Sequence, residues 1–209
     1  CTGRMGYKFF DQAICGVDFA HLNPDVIYED QMTNGVARLS RYRVLVSAGV
    51  DATYPGTLKS IRSWVAKGGI WVVIAETAAL DEYGEANPEA FTGLPPKVTP
   101  IEGEQGTIEL GGEKIRCSPY SDAAIPSDWK TLAALDGKPV VGIRRLGEGA
   151  VLYANVRLPG AGVGALVRYA ASLRRIRPSC ETRDAEGGLA DNIEVHDAAR
   201  GGMRAWSIC

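Results

Sequence analysis

Apolar residues recur along this chain at two spacings, and the two spacings predict different elements. Residues 51–69, DATYPGTLKSIRSWVAKGG, carry one apolar position every three or four residues, which is typical of one face of a helix. These positions are Leu58, Ile61, Trp64 and Val65. Continuous apolar runs at 42–48, YRVLVSA, and 70–75, IWVVIA, predict a buried strand on each side of this helix. The order strand, helix, strand predicts a right-handed βαβ crossover and a parallel sheet.

The N-terminal and middle regions predict shorter elements. Residues 4–15, RMGYKFFDQAIC, have a loose helical pattern that Gly16 can end as a C-terminal cap. The VDF run at 17–19 predicts a short strand, followed by an ordered loop. Residues 94–120 are rich in proline and contain short alternating runs divided by Gly-Gly, which predicts antiparallel hairpins.

The region from 126 to 176 predicts a helix, two strands and a further helix. Residues 126–138, PSDWKTLAALDGK, indicate a helix with Ser127 as its N-cap. Residues 139–156 predict two strands that turn at LGEG, and 160–176 predict an amphipathic helix. The apolar face of that helix consists of Val163, Leu166, Val167, Ala170 and Leu173.

Beyond Pro178 the periodicity is lost, and this change predicts a domain boundary. Residues 1–178 are expected to form an α/β domain, with a mostly parallel sheet between helices and antiparallel hairpin additions. Residues 179–209 are expected to form a linker and a hairpin turning at ARGG. Because a lone hairpin is only marginally stable in water, we expect it to begin a further β-sandwich domain that is cut short.

Charge and composition argue against several classes of binding partner. The formal net charge is −2 and the isoelectric point is near 5.8, which gives no electrostatic basis for binding nucleic acid or an anionic membrane. The longest apolar run is far shorter than the ~20 residues of a membrane span. No signal peptide is recognisable, but the first residue is not Met, so the compartment stays open. The five cysteines are scattered, and only His21 and His196 accompany them, so neither a metal site nor a cofactor is expected.

Three stretches resemble a known family. Residues 40–86 match a family pattern of a strand, a helix and a strand that begins after Gly-Gly, followed by a short acidic stretch. Residues 137–156 match a Gly-rich hairpin late in that pattern, and 191–209 match the first strands of the β-sandwich that follows it. Together they are similar to class I glutamine amidotransferase-like domains, above all the trimerisation domain of family-42 β-galactosidases and related multidomain glycoside hydrolases. The resemblance implies a flavodoxin-like or amidotransferase-like three-layer fold. It also implies that the catalytic carboxylates of such an enzyme lie on a separate barrel domain.

The turn AETAA after the strand 70–75 is the position that would hold a nucleophile. Working amidotransferases place a cysteine in a G-x-C-x-G strand-to-helix turn there, activated by a histidine and a glutamate after a late strand. Glu76 and Thr77 occupy the turn in this chain, and the late strand offers Asn155 and Arg157 instead. The sequence therefore predicts a degenerate nucleophile elbow at Glu76 and Thr77, and no catalytic residue.

Other candidate sites are weaker. GAGVGA at 160–165 fits a dinucleotide fingerprint, but it lacks the downstream acidic strand end and sheet, so a flexible helix entry is preferred. Five carboxylates in loops are in principle an acid/base source for glycoside cleavage: Glu29, Asp30, Glu76, Asp81 and Glu82. Cys15 and Cys117 have no identifiable base and are expected to be buried. Three tryptophans are expected to be core or interface anchors, with a sugar-stacking role left open: Trp64, Trp71 and Trp129.

The leading hypothesis is a non-catalytic domain of a larger carbohydrate-active protein, acting in oligomer assembly or in forming the rim of a neighbouring active site. Its expected partners are other copies of the chain and neighbouring domains of the parent protein, with a carbohydrate as a further candidate. Two alternatives remain open: a hydrolase that cleaves an amide or ester through Thr77 or a cysteine, and a sugar-binding module.

Overall fold

In the computed structural model of the protein, helices and strands alternate in only part of the chain. Residues 3–178, 180–188, 190, 195–200 and 203–208 are described, with side chains at 8–178, 180–188 and 190. The helices of this described part are α1 (Gly3–Phe19), α2 (Glu29–Thr33), α3 (Pro55–Ala66) and α4 (Gly160–Ser172). Its strands are β1 (Val44–Ala48), β2 (Ile70–Ile74), β3 (Gly106–Leu110), β4 (Glu113–Pro119), β5 (Lys130–Leu135), β6 (Lys138–Leu146), β7 (Gly149–Ala154), β8 (Val156–Arg157), β9 (Val195–Arg200) and β10 (Met203–Ile208).

The main sheet has five strands in the order β1-β2-β7-β6-β5. The predicted βαβ unit is present: β1 and β2 are parallel, α3 connects them, and β7 continues the parallel part. The pairs β7–β6 and β6–β5 are antiparallel, so the sheet is mixed rather than mostly parallel as predicted. The reason lies in the connections, since two-residue turns join β5 to β6 and β6 to β7 and can only link antiparallel neighbours.

Helices cover both faces of this sheet. All five residues of β2 are buried, and successive side chains point to opposite faces. Trp71 and Val73 join a core cluster with Leu58, Ile61, Trp64 and Val65 of α3. Ile70, Val72 and Ile74 join the other cluster with Val163, Leu166, Val167 and Ala170 of α4. The predicted apolar faces of both helices are therefore buried against the sheet, apart from Leu173, which is partly buried at the end of α4.

A second, antiparallel sheet has the order β3-β4-β8, and its β3–β4 hairpin turns at Gly111-Gly112 as predicted. The C-terminal hairpin pairs β9 with β10 around residues 201–202, which are outside the described residues. Its pairing agrees with the predicted hairpin. The division into domains at 178 stays a prediction.

The N-terminal helix is longer than the sequence pattern indicates. The predicted stop at Gly16 and the predicted strand at 17–19 are both wrong, because α1 continues through them to Phe19. Gly16 is buried where α1 crosses α4, and a Cβ added to it would lie 2.6 Å from Cβ of Val163. The glycine therefore permits close helix packing, while His21, with a φ of 56°, occupies the left-handed region after the helix.

The predicted helix at 126–138 is also wrong, since its main part is β5. Asp136 and Gly137 have φ values of 50° and 77°, as a two-residue type I′ turn requires. This Asp-Gly pair links β5 to β6, and Ala133 and Leu135 of β5 are buried in the core. The hairpin turn therefore determines the conformation of a segment whose composition also suits a helix.

The strand predicted at 42–48 forms, but it is not fully buried. All five residues of β1 are partly exposed, because β1 is the outermost strand of the sheet and has β2 as its one strand partner. No helix in the described part of the chain combines the length and the apolar character needed to cross a membrane.

Candidate functional site

The three parallel strands end at the same edge of the main sheet, and the residues that follow them form the candidate site. Asp51 lies shortly after β1, Glu76 and Thr77 follow β2, and Asn155 follows β7. Ligands of open α/β sheets commonly bind outside the carboxyl ends of the strands. This edge is therefore where the chain would carry chemistry.

Glu76 is paired with a tyrosine from a distant segment. The Tyr120 hydroxyl donates a hydrogen bond to Oε1 of Glu76, and the guanidinium carbon of Arg157 lies 5.3 Å from the centroid of the Tyr120 ring. Burial raises the pKa of the Glu76 carboxyl, the bond from Tyr120 lowers it in part, and the negative charge of Asp51 raises it. Burial, together with the bond to Glu76, raises the pKa of the Tyr120 phenol far above its usual range. Tyr120 thus stays protonated as a donor.

Thr77 is not available as a nucleophile. Its side chain is 1% exposed, and its hydroxyl donates a hydrogen bond of 2.9 Å to the Pro95 carbonyl oxygen. A threonine hydroxyl attacks only when a base removes its proton, and here the proton is directed to a backbone carbonyl.

The backbone after β2 does not form a strand-to-helix turn. Ala75 and Ala78 have φ values of 68° and 53°, and residues 75–105 contain no helix. The Tyr153 hydroxyl donates to the Ala75 carbonyl oxygen at 2.9 Å and holds the turn against β7. A nucleophile elbow relies on a following helix whose N-terminus stabilises an oxyanion, and this turn has none. That Glu76 and Thr77 are the remnant of an elbow stays a prediction.

Asn155 and Arg157 hold loops in place. The Asn155 amide oxygen accepts from the Ser121 backbone N–H at 3.1 Å and hydroxyl at 2.7 Å, and its Nδ2 donates to the carbonyls of Ser121 and Ala123. Asn155 is 3% exposed, so these bonds satisfy a buried amide. Arg157 donates to the Ile101 carbonyl at 2.7 Å and to the Pro119 carbonyl. The residues that stand in for a catalytic histidine and glutamate therefore have structural partners.

The three tryptophans considered as sugar-stacking candidates are core residues. Trp64, Trp71 and Trp129 are buried, and their indole N–H groups donate to the Tyr42 carbonyl, the Ser47 hydroxyl and the Thr92 carbonyl. A ring that stacks on a sugar needs an open face, and these rings do not present one.

The glycines at 160–165 begin α4 and serve helix packing. A Cβ on Gly162 would lie 2.9 Å from the Ile115 side chain, and one on Gly164 would lie 2.8 Å from the Gly16 carbonyl oxygen. Close packing therefore accounts for both glycines.

The cysteine and histidine side chains that the structure describes do not assemble into a site. Cys117 is buried, and burial raises the pKa of its thiol, which disfavours the thiolate that a nucleophile needs. Cys15 is exposed, contrary to the prediction. His21 is buried, and its Nε2 lies 3.1 Å from the Thr182 hydroxyl. The side chain of His196 is outside the described residues.

Three of the five carboxylates accept hydrogen bonds from backbone N–H groups, and two of these, Glu29 and Asp30, lie at the start of α2 rather than in a loop. Glu29 accepts from the Tyr54 N–H, Asp30 from the Gln31 N–H, and Asp81 from the N–H groups of two following residues. Within the described residues, no three histidine, cysteine, aspartate or glutamate side chains are grouped closely enough to hold a metal ion.

Two features escaped the sequence analysis. Tyr120 pairs with Glu76 across 44 residues, and no local pattern connects the two positions. A cavity of about 530 Å³ also lies beside β1, bounded by α1 and residues 22–29. The cavity is accompanied by partial exposure of β1, but the sequence does not reveal this exposure because it depends on the order of the strands in the sheet.

Comparison with known proteins defines the fold. No family model matches the chain, and no curated protein matches its sequence. Among solved structures, β-galactosidase from Bacillus circulans sp. alkalophilus matches with a TM-score of 0.72 and 17% identity over 96% of this chain. Gan42B, a GH42 β-galactosidase from G. stearothermophilus, matches at 0.68 and 16% over 94%, and β-galactosidase from the Antarctic haloarchaeon Halorubrum lacusprofundi at 0.62 and 19% over 95%.

This chain spans 31%, 29% and 29% of those three proteins. At these identities the likeness concerns the fold. The chain thus has an α/β fold with a mixed five-stranded sheet, and this fold occurs as one part of GH42 β-galactosidases.

Proposed function

We propose that this chain is a non-catalytic, amidotransferase-like domain of a larger carbohydrate-active protein of the β-galactosidase type. It serves oligomer assembly or forms part of the rim of a neighbouring active site. The three-layer, flavodoxin-like description of the fold belongs to the same proposal, supported by helices on both faces of the sheet.

One observation carries the proposal. At the carboxyl edge, where an α/β enzyme holds its reacting groups, the polar side chains are bonded within the chain itself. The Thr77 hydroxyl is bonded to the Pro95 carbonyl, and both ends of the Asn155 amide are bonded to residues 121–123. Polar groups that make their hydrogen bonds within the chain stabilise loops and are not free to react with a substrate. This is the arrangement expected of a structural domain.

The loops at this edge also offer a surface for assembly. An isolated parallel bridge between Ala52 and Leu80 joins the segments after β1 and β2. Tyr54 and Tyr83 lie in these two segments, and they are 48% and 83% exposed. Exposed tyrosines are enriched in protein–protein interfaces. They support an interface formed by the carboxyl-edge loops, either with another copy or with a neighbouring domain.

Sedimentation equilibrium of the full-length protein tests the assembly role. The double variant Tyr54→Ala/Tyr83→Ala is expected to reduce the molar mass of the assembly at micromolar concentration. Val36→Ser changes another exposed residue, 73% exposed and outside the two segments that carry the tyrosines, and is expected to leave the mass unchanged. An unchanged mass together with an unchanged KM for a galactoside in the double variant contradicts both versions of the proposal.

Activity measurements on the chain by itself test the proposal that it catalyses no reaction. We expect no turnover of nitrophenyl galactosides, nitrophenyl acetate or glutamine. Turnover that disappears in Thr77→Val, Cys15→Ser or Cys117→Ser, while the variant remains folded, would make the chain a hydrolase instead.

A further inference from the structure

A cavity of about 530 Å³ runs along the outer edge of β1. We call it the β1 slot. Its main walls are α1, residues 22–29 and β1 itself, and α3 and α4 each contribute two lining residues. Every residue from 22 to 29 and from 44 to 48 lines it, so the slot follows the whole length of the strand.

The backbone of β1 presents unpaired groups to this slot. The Arg43 carbonyl accepts from the Ile70 N–H, and the Gly49 N–H donates to the Ile74 carbonyl, each at 3.0 Å. Since backbone direction alternates along a strand, the odd-numbered residues of β1 face β2, and Val44, Val46 and Ala48 direct their N–H and C=O groups into the slot. No other backbone group among the described residues bonds to these six groups.

The side chains around the slot are mainly apolar on both faces of the sheet, with the buried hydroxyl of Thr57 as a polar group on the α3 side. Ala13, Ile14 and Val17 of α1 line it on one side, and Ile61 of α3 lines it on the other. An occupant must therefore bond to a row of backbone groups and place apolar side chains in both directions. A strand buried on both faces has these properties, and five residues at ~3.3 Å each match the length of β1.

Two hydrogen bonds hold the outer wall of the slot in position. The Tyr42 hydroxyl donates to Asp25 at 2.8 Å, and the Tyr54 N–H donates to Glu29 at 3.0 Å. Tyr42 precedes β1 and Tyr54 follows it, so residues 25–29 are fixed beside both ends of the strand. Because this wall lies alongside β1, we expect it to hinder the approach of a second sheet edge more than the insertion of a single extended segment.

We propose that the β1 slot binds an extended apolar polypeptide segment as a sixth strand of the main sheet, by β-strand addition. The segment comes from another part of a larger protein to which this domain belongs. The matched β-galactosidases are about three times as long as this chain, so such proteins have ample further polypeptide. This assignment of the source rests on the proposed function, whereas the fit of a strand to the slot does not.

Fluorescence anisotropy with a labelled peptide tests the slot. The probe has five central valines and isoleucines with lysines at both ends. The control peptide has proline at two adjacent central positions, so that one proline faces β1 in either register. The first is expected to bind saturably below about 1 mM and the second at least about tenfold more weakly, because proline lacks the N–H that pairs with β1. Equal binding of both peptides, or no binding of either at 1 mM (about −4 kcal/mol), overturns the proposal.

Amide exchange measured by NMR gives a pattern specific to strand addition. With the peptide bound, the amides of Val46 and Ala48 are expected to exchange more slowly. The amides of Leu45 and Ser47 already face β2 and are expected to stay unchanged. Slowing of all four amides, or of none, would show that the peptide does not pair with this edge.

Two tryptophan substitutions in the same helix localise the binding. Ala13→Trp fills the slot and is expected to weaken peptide binding at least about tenfold. Asp11→Trp lies on an exposed part of α1 outside the slot lining and is expected to have no effect. Equal effects of the two variants would place the peptide elsewhere.

Sedimentation of the chain alone, with and without Ala13→Trp, distinguishes the source of the segment. Self-association that Ala13→Trp abolishes would replace the proposed neighbouring segment with a second copy. The tyrosine double variant leaves the slot lining in place, because neither Tyr54 nor Tyr83 belongs to it and Ala keeps the Tyr54 N–H that bonds to Glu29. Peptide binding is therefore expected to persist even if the proposed assembly role fails.

Discussion

The Tyr120 hydroxyl donates a hydrogen bond to the Glu76 carboxylate and thereby joins the turn after β2 to the end of β4. Tyr120 is 2% exposed and Glu76 is half-buried. A carboxylate held in this way is costly to ionise, and the tyrosine offsets part of that cost. The pair is thus a structural contact whose strength depends on pH.

Stability is expected to fall as pH rises through the titration of Glu76. Burial raises the pKa of this carboxyl above its ordinary value of 4.5, so the folded chain holds the proton more tightly than the unfolded chain does. The stabilisation is present below about pH 4.5 and is lost as pH rises through the raised pKa. When Glu76→Gln is unfolded with urea over the same pH range, its free energy of unfolding is expected not to show this decrease.

Two further variants refine this test. Tyr120→Phe removes the bond that lowers the pKa of Glu76, so the fall should move to higher pH. Glu82→Gln changes an exposed carboxylate in the same loop and should retain the wild-type profile. An identical pH profile for Glu76→Gln and wild type would contradict the account of this pair.

Gly16→Ala is expected to destabilise the fold by about 1–3 kcal/mol, because the added methyl group overlaps the α4 backbone and side chains. Its Cβ would lie 2.6 Å from Val163 Cβ and 2.8 Å from the Gly160 carbonyl oxygen. Gly56→Ala in α3 is the matched control: it meets nothing within 4 Å and should stabilise by up to about 1 kcal/mol. Denaturant unfolding measures both, and a neutral Gly16→Ala would refute the close α1–α4 crossing.

Asn155→Ala is expected to cost about 2–4 kcal/mol, since it leaves the Ser121 N–H and two carbonyls without their buried partner. Ser121→Ala removes one hydroxyl from the same network and should cost about 1 kcal/mol. The comparison is made by thermal and urea unfolding. Equal costs would mean that the amide does not organise the loop.

Thr77→Val is expected to lower the free energy of unfolding by about 1–2 kcal/mol, because it retains the shape but leaves the Pro95 carbonyl without its donor. Thr77→Ser keeps the hydroxyl and should retain more of the stability. If Thr77→Val unfolds at the wild-type urea concentration, the hydroxyl is not committed to Pro95 as described.

Local sequence was sufficient where several signals agreed. For α3, the apolar spacing, Pro55 at the start and Gly68-Gly69 after the end all favour one helix, and the structure has Pro55–Ala66. The same holds for β2, whose continuous apolar run suits a strand buried on both faces.

Where two signals competed, the prediction failed. The segment 126–138 has helix-forming residues and a suitable cap at Ser127, but it ends in the Asp-Gly pair of a hairpin turn. Gly16 resembles a helix stop, yet its partner is Val163, almost 150 residues away. A helix contact of this kind has no local signature.

The sequence by itself determined the βαβ unit, the late hairpin and the absence of a cysteine from the turn at Glu76 and Thr77, because those depend on residue type and on neighbours along the chain. Tertiary structure alone decided that β1 lies at the edge, that Tyr120 reaches Glu76 and that Pro95 engages Thr77. The physical reason is that burial, pairing and pKa depend on groups brought together from distant segments, and strand order brings them together.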